Sequence, residues 1–256
     1  MLAWIVIAQI AAVAPDRVPI RGGRFFHGAV ADPDAEDDEG PGRTLALPAF
    51  SIDRTEVTRA AYAACVLAGR CAARADVGAH DLASRLPMTR VTWTEARAFC
   101  VAAGGRLPSE AEWARAARGP RDRRRYPWGD APACARANFG NFEGEGRCPE
   151  NPGRPVEVGR YPSGASPEGV LDLAGNVWEW TADYYDGRPP ARDGSGPKRA
   201  PPRDPAELGR APRRAVRGGV CCSMYGLPRL TNRVGFPEDY ADVDLGFRCA
   251  GATLRR

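Results

Sequence analysis

The chain has 256 residues, of which 43% are hydrophobic, which is enough to bury one sizeable core. Gly (29) and Pro (24) make up about a fifth of the chain, which excludes helical bundles and coiled coils because both residues interrupt long helices. The formal net charge of +4 is too weak to indicate nucleic acid as a partner, and the two histidines leave almost no material for a histidine-based triad or metal centre. Any chemistry must therefore rest on thiols, carboxylates or a bound ion.

The N-terminal residues 2–14 form an apolar run that is shorter than the ~20 residues of a membrane-spanning helix. It ends in Ala12-Val13-Ala14, the small-x-small pattern of a signal-peptidase site. No basic residue precedes the run and Pro15 would hinder cleavage, so an uncleaved anchor and a wrongly chosen start are the alternatives. Eight cysteines without a Cys-x-x-Cys pair also favour an oxidising compartment. We therefore expect a periplasmic or secreted protein.

The first predicted strands lie in residues 16–30, where a Gly-Gly turn separates two extended segments. An acidic loop follows at residues 32–39, and we interpret its six carboxylates as a solvated excursion that could weakly hold a cation. Residues 44–53 form another predicted strand, which Pro48 confines to a sheet edge or a strand end.

Three short helices are predicted from polar N-cap residues and glycine stops. They run from Thr58 to Leu67, from Thr92 to Ala103 and from Ser109 to Arg118. In the second and third helices, Glu95 and Glu112 complete a capping box with the N-cap hydroxyl.

The second half of the chain has little regular periodicity. Residues 126–161 consist of turns and short extended pieces rich in Pro, Gly and Asn. Residues 186–214 contain almost no large apolar side chain, which predicts a long surface loop or a disordered insertion. Strand-like sequence returns at residues 215–219 and 245–250. We find no internal repeat, and residues 16–252 read as one domain.

Four stretches carry more information than a generic α+β domain would. They are FSIDRTEVT (50–58), GGRLPSEAEWARAARG (104–119), YPWGD (126–130) with DLAGNVWEW (172–180), and RGG (217–219) with GFRCA (246–250). In this order and spacing they resemble the formylglycine-generating enzyme family, also called the sulfatase-modifying-factor family. The resemblance implies a compact α+β fold of low regularity that is related to C-type lectin domains.

The DLAGNVWEW segment contains a potential calcium site. Asp172 and Glu179 are seven residues apart, and Gly175 permits a turn that could direct backbone carbonyls inward. Such hard oxygen ligands suit Ca²⁺. The resemblance implies the ligand set: the Asp172 and Glu179 side chains with the carbonyls of Gly175 and Val177. The alternative is a tight turn in which both carboxylates are only hydrogen-bonded.

The resemblance also implies a second calcium site, which would begin at Asn138 and Phe139. Its acidic ligand is not evident, because the only carboxylates nearby in the sequence are Glu143, Glu145 and Glu150.

Eight cysteines allow many pairings, and the sequence alone does not choose among them. The resemblance implies one disulfide, between Cys100 and Cys249. Proximity along the chain suggests two more, with reduced and buried cysteines as the alternative: Cys65 with Cys71, and Cys134 with Cys148. Cys221 and Cys222 are then left over.

The catalytic members of this family carry two cysteines after the RGG-type turn, which bind Cu(I) before O₂ oxidises a substrate cysteine to formylglycine. The corresponding positions here are Ser223 and Pro228. A one-residue slip could place Cys222 at the first position, but no cysteine is available for the second. Cys221 and Cys222 could instead form a strained pair with a redox or metal-binding role, or could be structural.

We therefore expect a bound calcium rather than copper, and an exported accessory or binding module that recognises a protein, peptide or glycan. The alternative is an O₂-dependent oxidoreductase that uses Cys222, with or without Cys221 and a metal. A third possibility is glycan or peptide binding around Asn176, Trp178 and the loop at 186–214. A membrane partner is expected only if residues 1–14 remain as an anchor.

Overall fold

The computed structural model describes residues 16–29, 32–120, 123–140, 148–188, 212–219, 221 and 228–253. Within these ranges the fold is α+β, as predicted, with short elements separated by long irregular connections. The strands are β1 (Arg17–Ile20), β2 (Gly23–His27), β3 (Arg43–Leu47), β4 (Phe50–Asp53), β5 (Trp178–Tyr184), β6 (Arg213–Arg217), β7 (Arg233–Pro237), β8 (Leu245–Gly246) and β9 (Ala250–Gly251). The helices are α1 (Arg59–Leu67), α2 (Trp93–Ala102) and α3 (Glu110–Arg118).

The described strands form three small sheets. One is antiparallel with the order β1-β4-β9, the second is the β2-β3 pair, and the third has the order β7-β6-β5-β8, in which β5 and β8 are parallel. Ile52 of β4 faces Val18 on one side and Ala250 on the other. The first and last strands of the described fold therefore share β4 as their neighbour.

Helix capping follows the sequence closely. Thr58 accepts a hydrogen bond from the backbone of α1, and Thr92 with Glu95 forms the predicted capping box of α2. Ser109 with Glu112 does the same for α3, all of whose residues are buried. The α3 helix packs on β2, β5 and β6, so it lies at the centre of the molecule and joins two of the sheets.

The largest hydrophobic cluster lies between α1, α2 and the four-stranded sheet. Its aromatic members include Tyr62, which stacks on Phe99, and Phe247, which meets the edge of Phe99. A second cluster places Trp113 of α3 against the β1-β4 strands. Aromatic side chains thus connect the helices to the β8 and β9 strands of the GFRCA segment (246–250).

Several predicted strands differ in detail from the observed ones. The segments flanking the Gly-Gly turn do not pair with each other, because β1 pairs with β4 and β2 pairs with β3. The strand predicted at 44–53 is two strands in different sheets, since the chain leaves one sheet at Pro48. The predicted loop at 186–214 ends earlier, because β6 begins at Arg213, and β7 was not predicted.

The acidic loop at 32–39 is only in part the solvated excursion that its composition predicts, with Asp34, Glu36 and Asp37 exposed. Asp38 and Glu39 are buried, and Glu39 accepts two hydrogen bonds from Arg229, at 2.6 and 2.8 Å. Asp38 lies 3.3 Å from a guanidinium nitrogen of Arg233. Arginines from distant parts of the chain neutralise the loop, and its own sequence does not reveal them.

All three predicted disulfides are present: Cys65–Cys71, Cys100–Cys249 and Cys134–Cys148. The Cys100–Cys249 bond joins α2 to the segment between β8 and β9, 149 positions away in the sequence. It therefore closes most of the second half of the chain into one loop.

No helix in the described ranges is long and apolar enough to cross a membrane. The signal-like segment at 1–14 and most of the predicted loop at 186–214 lie outside the described residues.

We expect removal of the Cys100–Cys249 disulfide by a double Cys→Ala substitution to lower the free energy of unfolding by about 5 kcal/mol, because chain entropy rises with loop length. The same change at Cys65–Cys71, whose separation is six residues, is expected to cost about 2 kcal/mol. Urea unfolding of both variants checks the order. Equal losses would contradict the loop-length argument.

Candidate functional site

A fully buried ion pair joins Arg248 to Glu179. Both side chains have 0% exposure, and two nitrogens of the guanidinium donate to the two carboxylate oxygens at 2.6 and 2.7 Å. Trp113 of α3 donates its indole N–H to Oε2 of Glu179 at 2.9 Å. Glu179 lies in β5 and Arg248 lies two residues after the end of β8, so the parallel β5-β8 pairing brings the two side chains together.

Every nitrogen of the Arg248 guanidinium donates hydrogen bonds. Besides Glu179, its terminal nitrogens donate to four backbone carbonyls, those of Asp53, Arg54, Leu171 and Asp172. Burial acts to lower the pKa of Arg248, but the neighbouring carboxylates, Glu179 above all, outweigh it and raise that pKa. The arginine is a permanent positive charge that gathers three separate segments of the chain.

Two further carboxyl groups lie beside this pair. Glu56 is 2% exposed, and its Oε1 accepts a hydrogen bond from the amide of Asn176 at 3.0 Å. Asp172 accepts a hydrogen bond from the backbone N–H of Gly159 at 2.7 Å. The negative charge of Asp172 raises the pKa of Glu56, so the two carboxyl groups share one neighbourhood. Glu56 and Asp172 therefore form an acidic pair next to the Arg248–Glu179 ion pair.

Burial is the main cause of the raised pKa of both members of this acidic pair. For Glu56, the negative charges of Asp172 and Glu179 raise the pKa further, and Arg248 opposes them. The buried carboxyl groups of Glu56 and Glu179 and the partly buried one of Asp172 thus share the charge of Arg248, and Arg85 also acts on Asp172. Burial beside two other carboxyl groups disfavours the ionised form of Glu56.

The turn at 175–177 connects this cluster to a second segment of the chain. A Cβ on Gly175 would lie 2.3 Å from the carbonyl oxygen of Asn138, so only glycine fits there. The Asn176 side chain accepts hydrogen bonds from the Asn138 amide and from the Val156 backbone N–H while it donates to Glu56. Asn176 therefore fixes Glu56 relative to the loop that contains Asn138.

The structure brings the predicted ligands of the first calcium site into one region but does not leave them equally available. A Cβ on Gly218 would lie 3.4 Å from the Val177 carbonyl oxygen and 3.9 Å from Oε1 of Glu179, so these two oxygens face the same space. Arg248 already supplies the countercharge of Glu179. Asp172 lies beside Glu56 instead. The donor set of hard oxygens suits calcium, and both Arg248 and Arg85 act on the charge of Asp172.

At the second predicted calcium site, the Phe139 carbonyl accepts a hydrogen bond from the side-chain amide of Asn151 at 2.8 Å. Oδ1 of Asn138 is buried and has no hydrogen-bond partner among the described residues. Glu150 is exposed, and Glu143 and Glu145 lie outside the described residues. Glu150 is close to the sulfurs of Cys134 and Cys148, which cannot act as thiolate ligands because they form a disulfide.

The predicted redox positions fall in and around residues 220–228. Cys221 is fully buried and disulfide-bonded, whereas Cys222 and Ser223 lie outside the described residues. Pro228 is buried, and its Cβ would lie 2.7 Å from a Cβ added to Gly219. A proline ring thus stands at the position predicted for the second copper ligand.

Asn176 and Trp178 are 3% and 2% exposed. The proposed ligand surface around these two residues is therefore wrong, because both belong to the interior.

Two important residues were missed by the sequence analysis, Glu56 and Arg248. Both lie inside recognised motifs, FSIDRTEVT and GFRCA, so the signal was present. Nothing in the spacing indicates that Glu56 and Arg248 meet the segment of Asp172 and Glu179, because the three segments are distant in the sequence.

The sulfatase-modifying factor enzyme 1-like domain matches residues 6–253 of the chain. The formylglycine-generating enzyme of Thermomonospora curvata is 33% identical over 94% of this chain and 95% of its own length. The inactive C-alpha-formylglycine-generating enzyme 2 of Mus musculus is 31% identical over 94% of this chain and 87% of its own length. The structure of PvdO from Pseudomonas aeruginosa superimposes with a TM-score of 0.69 at 23% identity, covering 92% of this chain and 94% of that one, which shows a shared fold.

We expect Arg248→Met to lower the free energy of unfolding by about 3–5 kcal/mol, because it leaves the fully buried Glu179 without its countercharge. The matched control is Arg97→Met on the exposed side of α2, which should change stability by less than about 1 kcal/mol. Chemical denaturation measures both. An Arg248 variant as stable as the control would show that the ion pair is not a central support of the fold.

Proposed function

Because the chain belongs to the sulfatase-modifying factor enzyme 1-like family, we propose that it is a member that keeps the fold but not the copper-dependent oxidation of cysteine, and that it acts as a binding or accessory module. The observation that carries the proposal is the buried Pro228 at the second ligand position. Cu(I) requires soft sulfur ligands in such a site, and a pyrrolidine ring has none.

The oxidation state of Cys221 supports the same proposal. A thiolate is the form of cysteine that binds metal or attacks a substrate, and the disulfide of Cys221 removes that thiolate. Its sulfur is also fully buried, so a substrate does not reach it in this state. The residues present therefore do not fit a Cu(I) dithiolate, and we derive no reaction step through copper.

The named relatives agree with both readings of the family. A relative of nearly the same length is named as the generating enzyme, and another is named as inactive. The oxidoreductase alternative, which uses Cys222 with or without Cys221 and a metal, is kept as the second candidate because Cys222 is a cysteine next to the first ligand position.

We also propose that the protein works in an oxidising compartment after export. Three disulfides support this, since such bonds persist in the periplasm and outside the cell. Its partner would be a protein, peptide or glycan held on the loop surface, away from the buried Asn176 and Trp178.

The proposal predicts that no aldehyde forms on a cysteine peptide of the sulfatase type when the protein is incubated with Cu(I), O₂ and a thiol reductant. Mass spectrometry of the peptide detects the conversion, and the Thermomonospora curvata enzyme is the positive control. Aldehyde formation by this chain would refute the proposal. If that activity also survives Cys222→Ser, the oxidoreductase alternative based on Cys222 is refuted too.

A variant that restores the two cysteines tests whether their absence explains the proposed loss of Cu(I) binding. We expect Ser223→Cys with Pro228→Cys to bind Cu(I) at least about tenfold more tightly than the unaltered protein, because the two thiolates of the family site are restored. Competition with a Cu(I) chelator measures the affinities. The single variant Ser223→Cys is the matched control and should bind no better than the starting protein.

A further inference from the structure

The loop at the second predicted calcium site contains its own donor for two converging carbonyl oxygens. The side-chain amide nitrogen of Asn151 donates to the backbone carbonyl of Ala137 at 3.0 Å and to that of Phe139 at 2.8 Å. All three residues are buried. Backbone carbonyls are among the oxygen ligands that calcium takes in proteins, and here one NH₂ group, with its two hydrogens, satisfies both of them.

The orientation of this amide follows from its other contacts. Oδ1 of Asn151 lies 3.3 Å from the Tyr161 hydroxyl, which donates to it. The opposite orientation would place Oδ1 against two carbonyl oxygens, where no donor is available. The backbone N–H of Asn151 donates to the Cys148 carbonyl at 3.0 Å, and the Cys148 N–H donates to the Gly140 carbonyl at 2.7 Å. Residues 148–151 therefore lie against residues 137–140 through both side-chain and backbone hydrogen bonds.

A disulfide supplies the second role of a bound cation, which is to hold two segments of a loop together. The Cys134–Cys148 bond joins the residues before Ala137 to the residues before Asn151. Cys148 also packs with Ala137 and Phe139 in one small hydrophobic cluster. Apolar surroundings of this kind disfavour a charge that lacks a charged ligand.

The side chain of Asn138, which lies between the two carbonyls in the sequence, contacts other segments. Its amide donates to the Arg154 carbonyl at 2.9 Å and to Oδ1 of Asn176 at 3.1 Å. Asn138 also lines a small pocket with Asp172 and Asn176 of the DLAGNVWEW segment. Within the described part of residues 137–151 the carboxylate is that of Glu150, which is exposed. This part of the loop therefore offers a divalent ion no buried carboxylate, the ligand that supplies the charge in calcium sites.

We propose that the Asn151 amide and the Cys134–Cys148 disulfide take the place of the second calcium that the family resemblance implies, and that residues 137–151 hold no cation in the wild type. The loop then keeps its shape without calcium. This inference goes beyond the proposed function and does not depend on the loss of copper chemistry or on the occupancy of the first predicted calcium site.

The Asn151→Asp substitution reverses the polarity of this contact. A carboxylate has no N–H to donate, so two buried carbonyl oxygens lose their donor and face a negative charge. We expect the Tm of the metal-free variant to fall by at least about 3 °C. Calcium would supply the missing positive charge between the carboxylate and the carbonyls, so it should restore the Tm of Asn151→Asp.

The matched control is Asn151→Ala, which removes the same donors without adding a carboxylate. Its Tm should also fall, but calcium should not restore it, because the variant gains no charged ligand. The experiment uses the full chain, freed of metal with EDTA and then dialysed. Thermal unfolding with and without CaCl₂ measures the shift in Tm, and isothermal titration with CaCl₂ counts the ions bound per chain.

The calcium-dependent shift of each variant is compared with that of the wild type, because any calcium at the first predicted site stabilises all three proteins alike. We expect the shift of Asn151→Asp to exceed that of the wild type by at least about 3 °C, with one additional calcium bound per chain. The shift of Asn151→Ala should equal that of the wild type.

Three results would overturn the proposal: two calcium ions bound per chain in the wild type, a metal-free Asn151→Asp as stable as the metal-free wild type, or a destabilised Asn151→Asp that calcium does not restore. Should Asn151→Asp fail to fold without metal, refolding in CaCl₂ is expected to recover it. Asn151→Ala then answers the question about the amide, since an unchanged Tm in that variant would overturn the proposal equally.

Discussion

The rest of the structure depends on one buried charge, the guanidinium of Arg248. It donates two hydrogen bonds to Glu179. It also donates to the backbone carbonyls at the end of β4 and at residues 171 and 172. A buried charge is costly unless every donor is satisfied, so each of these segments must be in place at once. The next residue, Cys249, forms the disulfide to α2, so covalent and electrostatic constraints act at adjacent positions.

Local features of the fold were predictable because their causes are local. The caps of α1, α2 and α3 depend on a hydroxyl and, in two cases, on a glutamate three residues later, and all were found where the sequence places them. Features that depend on distant partners were not predictable in this way. Asp38 and Glu39 of the acidic loop are buried because they meet Arg233 and Arg229 from the far end of the chain. Pro48 divides a predicted strand between two sheets.

In the candidate site, too, the local motif was predictable and the contacts with distant residues were not. The motif containing Asp172 and Glu179 was recognisable as a source of oxygen ligands, but the sequence could not show that the two carboxylates have different partners. Arg248 neutralises Glu179, whereas Asp172 accepts a hydrogen bond from the backbone N–H of Gly159. A separation of more than a hundred residues between Glu56 and Asp172 leaves no periodicity to detect, so only the assembled fold reveals the pair.

The interactions that hold the fold together are separate from the positions that correspond to the family's copper ligands. The ion pair and the Cys100–Cys249 disulfide do not involve Pro228 or Cys221, so the scaffold can persist when the copper ligands are absent. A double-mutant cycle of Arg248→Met and Glu179→Gln, measured by chemical denaturation, tests the central role of this ion pair most directly. The double variant is predicted to lose less free energy of unfolding than the sum of the two single variants, because it leaves no buried charge without its partner. Strictly additive losses would contradict that role.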